Sequence, residues 1–361
     1  MMLTRRSVRG AMVMMLALSV AGDASLARAQ SARKVTTLSE GVYVIEHRDA
    51  NDGFAGGNTT VIIGDRQVLV VDAPFLPSDA REDIAQIRRW TSIPVTFLLN
   101  THFHNDHNFG NRAYMDAFPA LTVIAHEETK KDMDLFGPST AERVSRASVK
   151  YKAILERGAM PDGTALSDAE KREIRTILDN QAPLLAGLAQ SKFQSATLTF
   201  GHEVSIDLGG REVQIRFLGR GNTAGDAVAV LPKERIVVSG DLVVHPIPYV
   251  YDGYPSEWIT TLQRLADLDA ATYVPGHGPV LTDKTYLLLV RDLLRSAVGQ
   301  MNEALRATGP ALARTLDDVK GRIDLSAFRA RFAGNDKALG EAFDDAAAHV
   351  ISVAFREASL R

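Results

Sequence analysis

The feature that most constrains this chain is a cluster of four potential metal ligands within six residues. They follow directly after the apolar stretch 95–99 and are His102, His104, Asp106 and His107. Imidazoles this close repel one another when protonated and compete for partners when neutral, so a purely structural role does not account for them. The alternative is a polar loop that happens to be histidine-rich, but three of the chain's nine histidines stand here. The cluster predicts a metal site.

Four further segments accompany this cluster along the chain. Before it, a predicted strand ends in aspartate at 68–72. After it come a glycine-rich turn at 218–226, a predicted strand that ends in aspartate at 236–241 and one followed by histidine at 273–279. The cluster itself, at 102–107, has H-x-H-x-D-H spacing. In this order, the five segments resemble the motifs of the metallo-β-lactamase superfamily of metallohydrolases, in which the aspartate of the fourth segment bridges two metals.

The resemblance implies a site for two metals that share one carboxylate. The corresponding residues are His102 and His104 for the first metal, Asp106, His107 and His277 for the second, and Asp241 for the shared carboxylate. One position departs from the family pattern. Asn222 stands where the family usually has a third histidine for the first metal.

Asn222 changes the expected chemistry of the first metal. An amide oxygen is a neutral, hard donor that suits calcium or magnesium, whereas imidazole suits zinc, iron and nickel. The substitution leaves open a dinuclear site with a weakly held first metal and a mononuclear enzyme that uses only the second site. A third alternative is that His245, four residues after Asp241, replaces the missing ligand. Otherwise His245 is a loop histidine that caps a backbone carbonyl.

Metal chemistry limits what such a site can do. Bound zinc lowers the pKa of its water from 15.7 to about 7, so hydroxide is available at neutral pH, and a second metal can polarise the substrate carbonyl. The resemblance implies that Asp106 also orients the hydroxide and that Asp241 holds the two metals together, so both are catalytic. We expect one or two Zn²⁺ per chain, with iron and manganese as open alternatives.

Supporting carboxylates are expected around the ligands. A ligating histidine usually donates its other N–H to a carboxylate or carbonyl, and Asp72 is the leading candidate for that acceptor. Its alternative role is to cap the turn after Pro74. Asp226 is expected to support the Asn222 turn in a similar way. The histidines outside the motifs show no cluster of partners in the sequence and are expected to be structural or exposed: His47, His126, His202 and His349.

The segment 246–258, soon after Asp241, is rich in proline and aromatic residues. Rigid prolines and amphipathic rings beside a metal suit the wall of a pocket for an organic substrate. Packing is the alternative, above all for Trp258, because Ser256 is a good helix N-cap. The candidate pocket residues are Tyr249, Tyr251, Tyr254, His245 and Phe54, the last in a glycine-rich segment that could cover a substrate.

The first 29 residues are predicted to be a signal peptide. Three arginines precede a short apolar stretch at 11–21, and Ala27-Arg-Ala29 resembles a cleavage site. Only about eleven residues are apolar, and a membrane-spanning helix needs about 20. The pair Arg5-Arg6 resembles a twin-arginine signal, with the general secretory route as the alternative. We expect a periplasmic or secreted protein with no stable membrane anchor after cleavage.

Composition restricts the partners of the mature chain. The formal net charge is −3, and it becomes about −6 when the four arginines and one aspartate of residues 1–29 are removed. This acidic balance disfavours nucleic acid, whose usual footprint on a protein is a basic patch, and favours a small-molecule substrate. Cysteine is absent, so the fold has no disulfide and the metal no thiolate ligand. The oligomeric state stays open.

Hydrophobic periodicity predicts a mixed α and β chain. One helix is predicted at 78–90, and the predicted strands are 42–46, 59–63, 68–72, 95–99, 121–125, 196–200, 212–217, 227–231, 235–239 and 272–274. The family resemblance implies more: an αββα sandwich of two mixed β-sheets flanked by helices, in a domain spanning residues 30–282.

Two helical regions are predicted in addition. The first is an insertion at about 127–192, in which Ser139 to Glu142 and Ser167 to Glu170 have the pattern of capping boxes. Packing is its expected role, with a lid over the metal or a dimer contact as alternatives. The second is a helical region at 283–361 packed on the domain, with a separate cap or a dimer arm as the alternative.

Three functions fit these features. The first is an exported zinc-dependent hydrolase that opens an ester, thioester, lactone or β-lactam carbonyl. The second is a mononuclear iron oxygenase of the persulfide type, whose reduced ligand set is spoiled by the loss of histidine at 222. The third is a non-catalytic periplasmic metal-binding accessory protein, and the retained Asp106 argues against it.

Overall fold

A computed structural model describes residues 33–47, 56–161, 163–189, 192–251, 253–308 and 315–359. The predicted signal peptide at 1–29 and the pocket candidate Phe54 lie outside these residues. Twelve strands are present in the described part: β1 (Lys34–Ser39), β2 (Val42–Glu46), β3 (Thr59–Ile63), β4 (Val68–Val71), β5 (Val95–Leu99), β6 (Thr122–His126), β7 (Leu198–Phe200), β8 (Glu203–Asp207), β9 (Glu212–Phe217), β10 (Ala227–Leu231), β11 (Ile236–Val244) and β12 (Thr272–His277).

Nine α-helices accompany the strands within the described residues. They are α1 (Pro77–Trp90), α2 (Asn111–Ala117), α3 (Glu127–Phe136), α4 (Thr140–Arg157), α5 (Asp168–Ala189), α6 (Pro255–Asp267), α7 (Thr285–Thr308), α8 (Ser326–Ala333) and α9 (Lys337–Ser359). None of the helices in the described ranges is long and apolar enough to cross a membrane.

The first sheet has seven strands in sequence order, from β1 to β7. Its first half, β1 to β4, is antiparallel, and β4, β5, β6 and β7 run parallel to one another. The carboxyl ends of β4, β5 and β6 therefore meet at one edge, and Asp72, the 102–107 cluster and His126 lie there.

The second sheet has five strands in the order β12-β11-β10-β9-β8. Its pairs are antiparallel except β11 with β12, which is parallel. The register of that parallel pair shifts between Val238 and Gly240 and again between Gly240 and Val244. Such irregularities re-aim side chains, and this one lies around Asp241.

The two sheets pack face to face with helices outside, so the predicted αββα sandwich is confirmed. Buried aliphatic side chains of both sheets form the layer between them, including Val42, Leu69, Ile215 and Ala229. The outer face of the first sheet packs against α1 and α2. The outer face of the second packs against α6, α7 and α9, which bury Trp258 and Phe343.

The helical insertion and the C-terminal helices are both present. The apolar face of α5 buries Ile174 and Ile177 against Tyr151 of α4, which supports packing as the role of the insertion. The second capping box is present, since Ser167 and Glu170 exchange hydrogen bonds at the start of α5. The first is wrong: the Ser139 hydroxyl donates to the Phe136 carbonyl and does not cap α4.

Sequence periodicity missed β1, β8 and the short helix α2. The two strands each lie at an edge of a sheet and are largely exposed, so their sequences do not carry the apolar alternation of a half-buried strand. Strand β11 also continues beyond its predicted end, to Val244, because its second half is buried on both faces.

Candidate metal centre

The predicted ligands come from both sheets and meet at one end of the sandwich. The 102–107 cluster leaves β5 and turns in a 3₁₀ helix at Asn105–His107, while Asp241 lies within β11 and His277 ends β12. Close packing brings β12 against the aspartate, because a Cβ at Gly276 would lie 1.9 Å from Asp241 Oδ1. Only glycine fits there.

The first group of potential ligands is His102, His104 and Asp241. His102 Nε2 lies 2.9 Å from His104 Nδ1 and 3.5 Å from Asp241 Oδ2. The ligand atoms of this group all lie within 4.8 Å of one another, the spread of a single ion's donors. His102 and Asp241 are buried, and His104 is partly exposed.

The second group is Asp106, His107 and His277, whose ligand atoms also lie within 4.8 Å of one another. His277 Nε2 lies 3.1 Å from His107 Nε2 and 3.2 Å from Asp106 Oδ2. Asp241 reaches this group with its other oxygen, because Oδ1 lies 3.2 Å from His107 Nε2. One carboxylate thus faces both groups, one oxygen to each.

Asp72 fixes which nitrogen of two histidines faces the centre. Its Oδ2 lies 2.9 Å from His107 Nδ1 and accepts the Thr101 hydroxyl at 2.7 Å. Because the hydrogen of that hydroxyl is already donated to Asp72, the hydroxyl oxygen accepts a hydrogen bond from His102 Nδ1, 3.0 Å away. Both Nδ1 atoms therefore carry hydrogen, and both Nε2 atoms are left to the ligand groups.

The groups fit a divalent cation because imidazole nitrogens and carboxylate oxygens converge there. Asp241 Oδ1 is buried and accepts no hydrogen bond from the described residues. Burial opposes protonation of His107, yet the carboxylates of Asp241, Asp106 and Asp72 raise its pKa well above the usual range. These carboxylates therefore favour positive charge at the second group. Burial and neighbouring His102 lower the pKa of His104 to about 3, which keeps that imidazole neutral and able to ligate.

Asn222, the position at which the resemblance predicts a third histidine, lies at the first group. Its Nδ2 donates to Asp241 Oδ2 at 3.4 Å, while its Oδ1 is buried with no hydrogen-bond partner among the described residues. Rotation of the amide would turn this oxygen to the group. Asp226 shapes the turn by accepting the Thr223 backbone N–H at 2.7 Å, and burial raises the pKa of Asp226 to about 7.

Of the candidate pocket residues, Tyr249 reaches a predicted ligand directly. Its ring lies edge to face with His277 at 5.9 Å and beside Tyr251 at 5.8 Å. Tyr254 instead packs under the Arg220 guanidinium, and the His245 ring packs on Tyr286. Neither ligand group includes His245.

Trp258 belongs to the core. It is buried, and its indole N–H donates to the Leu242 carbonyl at 3.2 Å, so packing is its role. Ser256 is not the N-cap expected from the sequence. Its backbone N–H and hydroxyl donate to Glu357 of α9, which joins α6 to the C-terminal helix.

Sequence reasoning missed a pair of aromatic residues beside the first ligand group. Phe103 stands between the first two histidines of the cluster, and its ring lies 4.8 Å from the His104 ring and 5.6 Å from Phe136 at the end of α3. Phe136 is 40% exposed. The position of Phe103 inside the motif was the available signal; nothing in the sequence joins it to Phe136.

His47 is structural, one of the two expected roles, but it has a cluster of partners that the sequence did not show. Its ring is buried between the Gly57 carbonyl and the carboxylate of Asp83, which also binds Arg33. The partners lie 10, 36 and 14 residues away along the chain, so no local pattern could reveal them. His126 is structural, as expected, since its ring stacks on Phe217 and binds the Gly201 carbonyl.

Two relatives of known name are similar in sequence. One is a linear primary-alkylsulfatase from a Pseudomonas species, 25% identical over 65% of this chain and 44% of its own length. The other is the α subunit of a 2,4-dinitroanisole O-demethylase from a Nocardioides species, 25% identical over 68% of this chain and 55% of its own length. The chain spans about half the length of these relatives.

Solved structures share the fold. A metallo-β-lactamase from Pontibacter korlensis superposes with a TM-score of 0.50 at 18% identity, covering 73% of this chain and 99% of its own. The DIM-1 metallo-β-lactamase does so with a TM-score of 0.50 at 16% identity, covering 73% and 98%. The sequence profile of the metallo-beta-lactamase superfamily matches residues 52–277, which is more than half of the chain and includes every predicted ligand. The chain therefore belongs to the metallo-β-lactamase superfamily.

Proposed function

We propose that the protein is an exported, zinc-dependent hydrolase that opens an ester, thioester, lactone or β-lactam carbonyl of a small molecule. One observation carries the proposal: two adjacent ligand groups share the carboxylate of Asp241, and the second group, Asp106 with His107 and His277, is complete. A fold of this superfamily implies divalent metal binding, and an imidazole-rich, thiolate-free donor set suits zinc.

Bound zinc would supply the nucleophile by lowering the pKa of its water to about 7, and would polarise the substrate carbonyl. The residues of the chain do the rest. Asp241 holds the two ligand groups together, with one oxygen toward each. The Asp106 side chain is partly exposed, so its second oxygen can accept a hydrogen bond from an attacking water and orient it.

Aromatic side chains beside both ligand groups favour an organic substrate with an apolar group. Phe103 lies against His104 of the first group, and Tyr249 lies against His277 of the second. Rings such as these bury apolar surface while keeping a defined geometry. The relatives that are named for a sulfate ester and an aryl methyl ether suggest widening the substrate panel beyond carbonyl compounds.

The test is a substrate panel on one zinc-loaded preparation, with metal content measured beforehand. The panel contains nitrocefin, a lactone, a thioester, an aryl carboxylic ester, a phosphodiester and an alkyl sulfate. We expect turnover of at least one member, and Asp106→Asn should abolish it. Asp116→Asn is the matched control, because Asp116 is an exposed carboxylate that pairs with Arg112 away from the ligands.

An iron oxygenase is the second candidate, because the first group still combines two histidines with one carboxylate although position 222 is not a histidine. That donor set is the one used by non-haem iron oxygenases. Iron in the purified protein together with oxygen uptake would favour it. Zinc at the second group with no turnover of any panel member would contradict the proposed hydrolase.

Export is part of the proposal and rests on the amino-terminal sequence alone. A basic start, a short apolar stretch and an A-x-A site are the features that support it. Fractionation of cells that express the full chain tests it. Full-length protein confined to the cytoplasm would contradict it, and a chain shortened by about 29 residues outside the inner membrane is the expected result.

A further inference from the structure

The strongest unexplained feature outside the ligand groups is the buried ring of His47, which follows β2. Its Nε2 lies 2.9 Å from Asp83 Oδ2 and its Nδ1 lies 2.6 Å from the Gly57 carbonyl oxygen. A carbonyl oxygen can only accept, and an ionised carboxylate can only accept. Each ring nitrogen must therefore donate, so His47 is an imidazolium with both protons in place.

Its surroundings suit that charge. Asp83, on α1, is completely buried and lies between His47 and Arg33, whose Nη2 is 2.5 Å from Oδ1. Burial lowers the pKa of His47, but Asp83, the Gly57 carbonyl and nearby Asp79 raise it by more, so the net shift of the pKa is upward. A buried charge is retained only when it is paired and hydrogen-bonded, as this one is. We call Arg33, His47 and Asp83 the His47 cluster.

Gly57, the residue that His47 holds, touches the second ligand group. A Cβ on Gly57 would lie 2.6 Å from His107 Cε1 and 2.8 Å from the Asp106 carbonyl oxygen, so the Gly57 backbone packs directly on the His107 ring. Any shift of Gly57 toward this ring displaces a predicted ligand, and any shift away removes its support.

Asn58, the next residue, joins the same segment to the other histidine of the group. Its backbone N–H donates to Gly276 O at 2.7 Å, and its side-chain amide donates to the carbonyls of Pro275 and Gly278, at 2.9 and 2.8 Å. These carbonyls lie on both sides of His277. Gly57 and Asn58 therefore form a wedge between the backbones that carry His107 and His277.

We propose that His47, as a doubly protonated cation, is a positioning residue for the second ligand group: through Gly57 and Asn58 it sets the separation of His107 and His277. His47 contacts none of the predicted metal ligands and acts on them only through Gly57 and Asn58. The inference rests on the proposed metal centre, but it adds that a charged group on the α1 side of the first sheet controls the second of the two ligand groups.

The first test measures protonation without metal. Nitrogen-15 NMR of the metal-free protein, with the His47 signals assigned by their loss in His47→Gln, should show protons on both ring nitrogens at pH 7.5. A neutral His47 ring at that pH overturns the proposal.

The second test measures metal binding by chelator competition and by the absorption spectrum of bound Co²⁺. We expect His47→Gln to weaken the second site about tenfold, the lower end of the loss seen when a direct outer partner of a ligand is removed, and to leave the first site unchanged. The Co²⁺ bands of the second site should shift, since ligand geometry changes. The thermal midpoint of the metal-free variant shows that it is folded.

The matched control is His126→Gln. His126 is also buried and also binds a backbone carbonyl, that of Gly201, but its other nitrogen accepts from the Glu128 N–H, so it is neutral and a glutamine amide can replace both bonds. Second-site affinity should be unchanged in this variant.

Charge is tested by adding Asp83→Asn to His47→Gln. In His47→Gln the side-chain NH₂ can donate to the Gly57 carbonyl, but the amide oxygen then faces the Asp83 carboxylate, which also only accepts. Adding Asp83→Asn places an NH₂ group there, which can donate to that amide oxygen. The double variant should therefore bind the second metal more tightly than His47→Gln alone. A second site that is unaffected by His47→Gln overturns the positioning role while leaving the hydrolase proposal intact, and a wild-type protein that binds no metal overturns both.

Discussion

Replacing Asp72 with asparagine tests how the chain makes its histidines into ligands. Asp72 has φ of 61°, a left-handed conformation that asparagine and aspartate tolerate better than other residues with a Cβ. Asp72→Asn thus keeps the backbone and the side-chain shape, and removes the charge and one acceptor atom. Alanine would add backbone strain to the result.

The magnitude follows from the three hydrogen bonds that the carboxylate accepts. Oδ1 accepts the Thr101 backbone N–H at 2.7 Å, and Oδ2 accepts the Thr101 hydroxyl and His107 Nδ1. An amide has one oxygen. If its NH₂ replaces Oδ1, a buried backbone N–H loses its acceptor, at a cost of about 1–3 kcal/mol to folding.

If the NH₂ replaces Oδ2, His107 must accept at Nδ1 and carry its hydrogen at Nε2. That hydrogen then points at His277 and Asp241, and the nitrogen cannot ligate. Loss of an outer carboxylate typically weakens metal binding 10- to 100-fold. This corresponds to about 1.4 to 2.8 kcal/mol of binding free energy.

The assay is stepwise zinc titration against a chelator, together with the thermal midpoint of the metal-free protein. Thr101→Val separates the two sites, because it removes the hydroxyl that orients His102 and leaves the Asp72 contact with His107. We expect Thr101→Val to weaken the first site and Asp72→Asn to weaken mainly the second. Wild-type affinity at both sites in Asp72→Asn, with an unchanged midpoint, would refute the tautomer argument.

Three further predictions follow from the same geometry. Asn222→His should raise metal occupancy at the first group, measured by elemental analysis, and an unchanged stoichiometry and affinity would show that position 222 is no ligand. Burial raises the pKa of Asp226 from its usual 3.8 to about 7. The protonated carboxyl therefore contributes about 4 kcal/mol to the stability of the metal-free chain below pH 4, and this contribution is lost as the pH rises through 7. Asp226→Asn should flatten this pH dependence in chemical denaturation, and an equal slope in both proteins would contradict it. Phe136→Ala should lower kcat/KM for esters with long acyl chains more than for acetate esters, with exposed Val149→Ala as the control, and equal losses would exclude an apolar subsite.

Sequence patterns predicted the parts of this fold that are buried on at least one face. Strands such as β2, β3 and β10 have the same bounds in the sequence and in the structure because their apolar residues are consecutive or alternate cleanly. The edge strands β1 and β8 were missed because exposure removes that pattern. A capping box failed at Ser139, where α3 runs almost directly into α4 and leaves no free first turn to cap.

The motifs located the ligand residues but not what holds them in place. Thr101 precedes the histidine cluster directly, yet its role as a relay from Asp72 to His102 depends on the pairing of β4 with β5. The His47 cluster joins Arg33, just before β1, and His47, just after β2, to Asp83 of α1, and it acts on Gly57. Such contacts are set by packing of distant segments, which a single sequence does not encode locally.

The four potential ligands at 102–107 are divided between two ligand groups, and their spacing in the sequence does not show this division. Sequence spacing alone places His102, His104, Asp106 and His107 in one loop, and a loop of six residues could close around one cation. The 3₁₀ turn at Asn105–His107 begins directly after His104 and contains Asp106 and His107. The first two histidines belong to one group, and the two ligands in the turn belong to the other. Asp241 and His277, both from the second sheet, then complete the two groups. Six neighbouring residues thus serve two sites because the opposite sheet supplies the atoms that separate them.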